Sequence, residues 1–210
     1  MILFDLDGTL IDSNGVWTQI DVEFLSQRGL PCSMEYSAAV SHMTYLEAAR
    51  YTRDRFHLKE SPEEIQRIWL AMAWEQYSSR IPLKEGVLDY LLQQSAQGVP
   101  MGIVTSCMEP LCTAVLRQHG IENLFCQITT TAQVSRGKAF PDVYLLAARQ
   151  AGFPPETCTV FEDSPAAVAG AKAAGMQVVG VYDSFYAADR REMASLCDRY
   201  IDSFSQLLHE

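Results

Sequence analysis

The amino-terminal segment "ILFDLDGTLIDS" (residues 2–13) contains two aspartates, Asp5 and Asp7, separated by a single leucine. An apolar run precedes them and Gly8 follows directly, so the pattern predicts a buried strand that ends in a tight turn. Two carboxylates held this close repel each other, which costs free energy unless a cation balances them. We therefore expect this strand end to be a chemical site, and not ordinary surface charge.

Other polar residues also follow apolar runs. Thr105 and Ser106 follow "GIV", Glu162 and Asp163 follow "TVF", and Lys138 stands in "SRGKAFPD". Carboxylate oxygens suit Mg²⁺, and a lysine adds one fixed positive charge. A metal ion, a lysine and strand-end hydroxyls together are typical of a site that binds a phosphoryl group. A carboxylate in such a site can attack phosphorus and form an aspartyl-phosphate.

Within the first pair, the two aspartates have different predicted tasks. Asp5 is the better nucleophile because the strand fixes its position, whereas Asp7 lies on the turn and is placed to protonate the leaving oxygen. A calcium loop of the EF-hand type fits poorly. If Asp5 were its first ligand, Gly8 would fall at the fourth position, where the motif has its glycine at the sixth, and Val16 would replace the final glutamate.

The surrounding pattern predicts the elements that must bring these residues together. After residue 82, strands alternate with helices, which indicates βαβ units and a parallel sheet covered on both faces. Residues 15–80 show only helical patterns, including a capping box that starts at Ser61. The expected fold class is therefore α/β: a doubly wound, Rossmann-like parallel sheet from residues 1–14 and 83–210, with an all-helical cap domain at 15–82 inserted over the aspartates. Such sheets bind ligands at the carboxyl ends of their strands.

Four motifs, spread over nearly the whole chain, resemble those of the haloacid dehalogenase-like phosphatases: "FDLDGTLIDS", "VTSC", "GKAFPD" and "VFEDSPAAVAGAKAAGM". The resemblance is closest to the subgroup with a helical cap after the first strand, which includes β-phosphoglucomutase. It implies that Asp5 is the nucleophile and that Asp7 acts first as general acid and then as general base. The chain departs from the family pattern at Ala139, where a proline is usual, and at Ala167, where a glycine is usual; neither change removes a functional side chain.

The same resemblance implies the ligands of the metal and of the phosphoryl group. Mg²⁺ is expected at the Asp5 carboxylate, the Asp7 carbonyl oxygen and Asp163, with Glu162 nearby or bridged through water. The expected contacts of the transferring phosphoryl group are Gly8, Thr105, Ser106 and Lys138. In this family the cap selects the substrate, which makes the following cap residues candidates for contact with the leaving group: His42, Thr44, Arg50 and Arg53.

The expected function is a Mg²⁺-dependent phosphatase that hydrolyses a small phosphorylated metabolite. One alternative is a phosphomutase of the β-phosphoglucomutase type, in which a histidine stands ten residues after the second aspartate; this chain has Trp17 there. A second alternative is a catalytically silent binding module, which predicts loss of Asp5, Asp7, Lys138 or Asp163, although all four are present. A haloacid dehalogenase would not need Asp7.

Composition restricts the partners and the compartment. The 210 residues carry a net charge of −10, which disfavours nucleic acid and anionic membrane surfaces as the main partner. No apolar stretch approaches the ~20 residues of a membrane span. The six cysteines form no Cys-x-x-Cys pair, and no targeting segment precedes the first strand, so we expect a cytoplasmic enzyme with a small-molecule partner. The sequence does not predict the oligomeric state.

Overall fold

The computed structural model describes residues 1–40, 43 and 45–208. The chain divides into two compact units. An α/β unit comprises Met1–Asn14 and Ile81–Glu210, and a helical unit comprises Gly15–Arg80. The second junction thus lies two residues before the position that the sequence pattern indicated.

The α/β unit contains one parallel sheet, with six strands among the described residues, in the order β3-β2-β1-β4-β5-β6. The strands are β1 (Ile2–Phe4), β2 (Met101–Thr105), β3 (Ile128–Thr130), β4 (Thr159–Glu162), β5 (Gln177–Val181) and β6 (Arg199–Ile201). The strand order reverses between β1 and β4, and ligand sites of doubly wound sheets form at such a switch point. This topology confirms the predicted fold class.

The helical unit is formed by α1 (Val16–Ser26), α2 (Met34–Val40), α3 (Tyr45–Phe56) and α4 (Pro62–Ser79). The predicted capping box at the start of α4 is present, because the Ser61 hydroxyl accepts from the Glu64 backbone N–H while the Glu64 carboxylate accepts from the Ser61 backbone N–H. The apolar stripe of α4 is buried against α1, with the rings of Phe24 and Trp69 5.6 Å apart.

The helices of the α/β unit are α5 (Val87–Ala96), α6 (Glu109–Gln118), α7 (Asp142–Ala151), α8 (Pro165–Ala173) and α9 (Arg190–Leu196). Successive strand residues point to opposite faces, so β1 and β4 contribute to two cores. On one face, Phe4 and Phe161 stack with ring centroids 5.0 Å apart and pack with Phe204. On the other, Leu3 and Val160 belong to a buried cluster with residues of α7 and α8. The sheet is thereby fixed from both sides.

Two short helices, α2 and α9, were not anticipated from the sequence. Both have seven residues, too few to show a clear apolar period. In α9 the single buried side chain is Met193. No helix in the described part of the chain is long and apolar enough to cross a membrane.

Candidate active site

Three carboxylates meet at the carboxyl ends of β1 and β4. Asp5 directly follows β1, Glu162 is the last residue of β4, and Asp163 comes next. Because Phe4 pairs with Phe161 in the parallel register, the residues after them emerge side by side. One oxygen from each carboxylate lies within 4.8 Å of the others, and all three residues are buried. The structure thus groups three of the four carboxylates that the sequence pointed to, and we call these three the carboxylate cluster.

Lys138 binds this cluster directly. Its Nζ atom lies 2.5 Å from Asp5 Oδ1 and also forms an ion pair with Glu162 Oε1. Burial disfavours the charged ammonium, but the charges of Asp5 and Glu162 outweigh burial and raise the pKa of Lys138 above its ordinary value. Lys138 is therefore a fixed positive charge at the tip of β1.

One lysine does not balance the carboxylate cluster. Three carboxylates and one ammonium leave a net charge of −2 if all are ionised. Burial raises the pKa of both Glu162 and Asp163; Lys138 opposes this for Glu162, yet the pKa of Glu162 remains raised because Asp5 acts in the same direction as burial.

The arrangement fits a divalent cation. Tyr144 donates a hydrogen bond to Glu162 Oε1 at 2.8 Å, whereas Glu162 Oε2 is buried and has no hydrogen-bond partner. A buried oxygen without a donor is costly unless something positive binds it. Carboxylate oxygens are the hard ligands that Mg²⁺ prefers, and the net charge of −2 on the cluster with Lys138 is equal and opposite to the charge of this ion.

Asp7 is half-buried, and its side chain is held by a residue of its own loop. Its Oδ1 atom accepts a 2.7 Å hydrogen bond from the hydroxyl of Ser13, which is itself buried. The side chain of Asp7 is thus held in one orientation by its own loop. The predicted role of Asp7 as a metal ligand involved its carbonyl oxygen, so this side-chain position is compatible with it.

Gly8 makes the loop geometry possible. Its φ is +81°, a conformation that favours glycine, and a Cβ atom there would lie 2.0 Å from Asp163 Oδ2 and 2.1 Å from Asn14 Nδ2. Asn14 Nδ2 donates to Asp163 Oδ2 at 2.7 Å. The backbone of Gly8 therefore lies directly against the Asn14–Asp163 pair, and this contact sets the distance between the two carboxylate-bearing loops.

Thr105 and Ser106 lie at the end of β2, the strand that neighbours β1 on its other side. Thr105 is completely buried, and its hydroxyl oxygen accepts a 2.9 Å hydrogen bond from the Cys107 backbone N–H. This bond leaves the hydroxyl proton of Thr105 available for another acceptor. Ser106 is exposed.

The candidate substrate-contacting residues of the helical unit are less informative. Arg50 is exposed, and Arg53 forms an ion pair with its neighbour Asp54 at 2.7 Å. His42 and Thr44 lie outside the described residues.

Four residues that contact the site were not singled out in the sequence. Ser13 is the last residue of the first motif, where a polar residue after the turn could have drawn attention, and Asn14 follows it directly. Tyr144 stands among apolar residues of its helix, and Lys84 reads as an ordinary solvated lysine in a short loop. Lys84 Nζ in fact contacts the Gly8 carbonyl oxygen at 2.6 Å.

The site combines buried carboxylates with an ion-paired lysine at the switch point of a parallel sheet. This combination suits enzymes that transfer phosphoryl groups. The family model for haloacid dehalogenase-like hydrolases matches residues 2–181. Hexitol phosphatase A of Escherichia coli (strain K12) is 32% identical over 181 residues, which cover 85% of this chain and 81% of that protein. A probable pseudouridine-5'-phosphatase of Drosophila melanogaster is 31% identical over 209 residues, covering 93% and 89%.

Among solved structures, CbbY from Rhodobacter sphaeroides, in complex with xylulose-(1,5)bisphosphate, superimposes with a TM-score of 0.80 at 26% identity and covers 98% of this chain and 95% of its own. The chain belongs to the haloacid dehalogenase-like hydrolases. It is a hydrolase that acts on phosphate esters.

Gly170 generates a prediction about how Lys138 is positioned. A Cβ atom on Gly170, in α8, would lie 1.9 Å from the Lys138 carbonyl oxygen. Gly170→Ala should lower the free energy of unfolding by about 1–3 kcal/mol, because the crowded backbone must shift. An unhindered Gly→Ala change in a helix stabilises instead, by up to ~1 kcal/mol. Urea denaturation measures the difference.

The matched control is Gly137→Ala, next to Lys138, where an added Cβ meets nothing within 4 Å. We expect it to change the free energy of unfolding by less than about 0.5 kcal/mol. Equal stability of the Gly170→Ala variant and wild type would contradict the close approach of α8 to the Lys138 backbone.

Proposed function

We propose that the protein is a Mg²⁺-dependent phosphatase that hydrolyses small phosphorylated metabolites through an aspartyl-phosphate on Asp5. The observation that carries this proposal is the buried carboxylate cluster with Lys138 bound to Asp5 and Glu162. A merely structural sheet end would not favour so much unbalanced negative charge, because each buried carboxylate costs free energy.

Asp5 is the nucleophile of this proposal. One of its carboxylate oxygens forms a bond to phosphorus, the ester P–O bond breaks, and the leaving oxygen takes a proton from Asp7. Asp5 suits this task because it is 5% exposed and held by Lys138 Nζ at 2.5 Å, so little reorganisation is needed before attack. The product of this step is the free alcohol and phosphorylated Asp5.

Asp7 completes the second half of the reaction. It now carries no proton and accepts one from a water molecule, whose oxygen attacks phosphorus and releases inorganic phosphate and the Asp5 carboxylate. The hydrogen bond from Ser13 to Asp7 Oδ1 fixes the orientation of the carboxylate that gives up and then accepts the proton. A single residue can serve as acid and then as base because the first step leaves it deprotonated.

The phosphoryl oxygens need positive and hydrogen-bonding partners. Lys138 supplies a permanent charge, and the hydroxyls of Thr105 and Ser106, with the backbone of the Gly8 turn, are placed on the same edge of the sheet. Mg²⁺ would be held by Asp5, Asp163 and the Asp7 carbonyl oxygen, with Glu162 close by. Bound there, the ion would neutralise charge on the phosphoryl oxygens.

The substrate class is inferred from relatives. Proteins similar to this chain are named as phosphatases of hexitol and of pseudouridine-5'-phosphate, and the CbbY structure contains a sugar bisphosphate. The compounds in all three names carry a phosphate on a polyol or a sugar. We therefore propose a phosphorylated sugar or polyol as the substrate of this enzyme.

The central prediction concerns Asp5. With p-nitrophenyl phosphate and saturating Mg²⁺, Asp5→Asn should lower kcat at least about 1,000-fold, because the amide cannot form the covalent intermediate. Removing Mg²⁺ with a chelator should abolish wild-type activity, and adding Mg²⁺ back should restore it. The control is Asp89→Asn, an exposed residue in the first turn of α5, which should retain wild-type activity. Equal rates for wild type and Asp5→Asn would refute the proposal.

A second prediction separates hydrolysis from phosphoryl transfer between sugar positions. Supplied with β-glucose 1-phosphate, the enzyme should release inorganic phosphate and form no glucose 6-phosphate. The reason is that this chain has Trp17 at the position where a mutase of this type has a histidine. The ring of Trp17 packs against the ring of Tyr45 in the helical unit, with their centroids 5.9 Å apart. A product analysis that finds glucose 6-phosphate in excess of free phosphate would favour the mutase.

A further inference from the structure

Lys84 connects two loops of the α/β unit from a position that the proposed reaction does not use. Lys84 lies between Ile81, where the chain re-enters the α/β unit, and the start of α5, and its side chain is 15% exposed. Its Nζ atom contacts the Gly8 carbonyl oxygen at 2.6 Å, the Tyr182 carbonyl oxygen at 2.5 Å and Asp183 Oδ2 at 2.9 Å. An ammonium has three N–H donors, so these acceptors use its full capacity.

The hydrogen bond from Lys84 to Gly8 fixes the turn in the loop after β1. The Gly8 backbone N–H donates to the Ile11 carbonyl at 2.9 Å, and its carbonyl accepts from Lys84. Both polar groups of this left-handed residue are therefore satisfied, and its Cα lies against Asp163 and Asn14. Asp7 directly precedes Gly8 in the chain, so a shift of Gly8 would move Asp7 relative to the carboxylate cluster.

The Asp183 contact closes a second connection. Asp183 is 4% exposed and accepts from the Phe185 backbone N–H at 2.8 Å as well as from Lys84. These hydrogen bonds, together with one from Asn14, hold the pKa of Asp183 below its ordinary value although burial acts in the opposite direction. Asn14 also donates to Asp163, so the loop after β5 is linked to both Gly8 and the carboxylate cluster.

We propose that Lys84 is a positioning residue: its ammonium holds the Gly8 carbonyl and thereby sets the placement of Asp7 for proton transfer to the leaving oxygen. The proposal rests on the proposed phosphatase function. The three N–H donors of Lys84 bind two backbone carbonyls and the Asp183 carboxylate, so its loss acts through geometry. Misplacement of a catalytic group by about 1 Å can cost about 100-fold in rate.

The test compares two aryl esters that differ in how much they need a proton on the leaving oxygen. p-Nitrophenolate leaves readily without protonation, whereas phenolate depends more on general acid catalysis. We expect Lys84→Met to lower kcat/KM about 100-fold for phenyl phosphate but only about 10-fold for p-nitrophenyl phosphate, both at saturating Mg²⁺. A residue that only stabilised the fold would lower both values equally.

Lys84→Met leaves Asp183 buried without its cation, so a second variant removes that complication. The double variant Lys84→Met/Asp183→Asn buries no unpaired carboxylate at this position and carries the test even if the single variant folds poorly. It should show the same unequal loss for the two esters. The control is Lys172→Met, which removes a partly exposed lysine paired with Asp198 and should leave both kcat/KM values unchanged.

The outcomes are distinguishable. Wild-type rates in Lys84→Met, equal losses for the two esters, or full recovery in the double variant would each overturn the positioning role while leaving the phosphatase proposal intact. If wild-type protein with Mg²⁺ hydrolyses neither ester, the phosphatase proposal itself fails.

Discussion

The carboxylates at the ends of β1 and β4 repel one another, and much of the α/β unit is organised to tolerate that repulsion. Lys138 contributes one positive charge in direct contact with Asp5 and Glu162, and the charge that remains matches a divalent cation. Adjacent parallel strands place Asp5 beside Glu162 without any need for loop flexibility. Two packed cores, one on each face of the sheet, keep these strand ends in register.

Close backbone contacts refine this arrangement. Gly8 allows the loop after β1 to lie against Asp163, and Gly170 allows α8 to approach the backbone of Lys138. Tyr144 satisfies one oxygen of Glu162 and leaves the other without a donor. Each of these residues constrains Lys138 or a member of the carboxylate cluster, which is how a rigid site is held to the precision that catalysis needs.

The fold class and the grouping of Asp5, Glu162, Asp163 and Lys138 could be predicted because they follow from strong signals. Apolar strands followed by acidic residues, and strands alternating with helices, place these side chains at one edge of a parallel sheet. The contacts of Lys84 and Asn14 could not be predicted, because periodicity does not show which loop side chains turn inward. The helices α2 and α9 were missed for a related reason, since seven residues with few apolar positions give no clear period.

Chemical trapping of the covalent intermediate tests most directly whether Asp5 forms a bond to phosphorus. Wild-type enzyme would be acid-quenched during turnover of p-nitrophenyl phosphate with Mg²⁺ and treated with borohydride, which reduces an acyl phosphate to an alcohol. We predict that peptide mass spectrometry will find the side chain of residue 5 reduced, and that the peptide from enzyme quenched without substrate will be unchanged. Reduction at another carboxylate, or at none while phosphate is released, would contradict the role of Asp5.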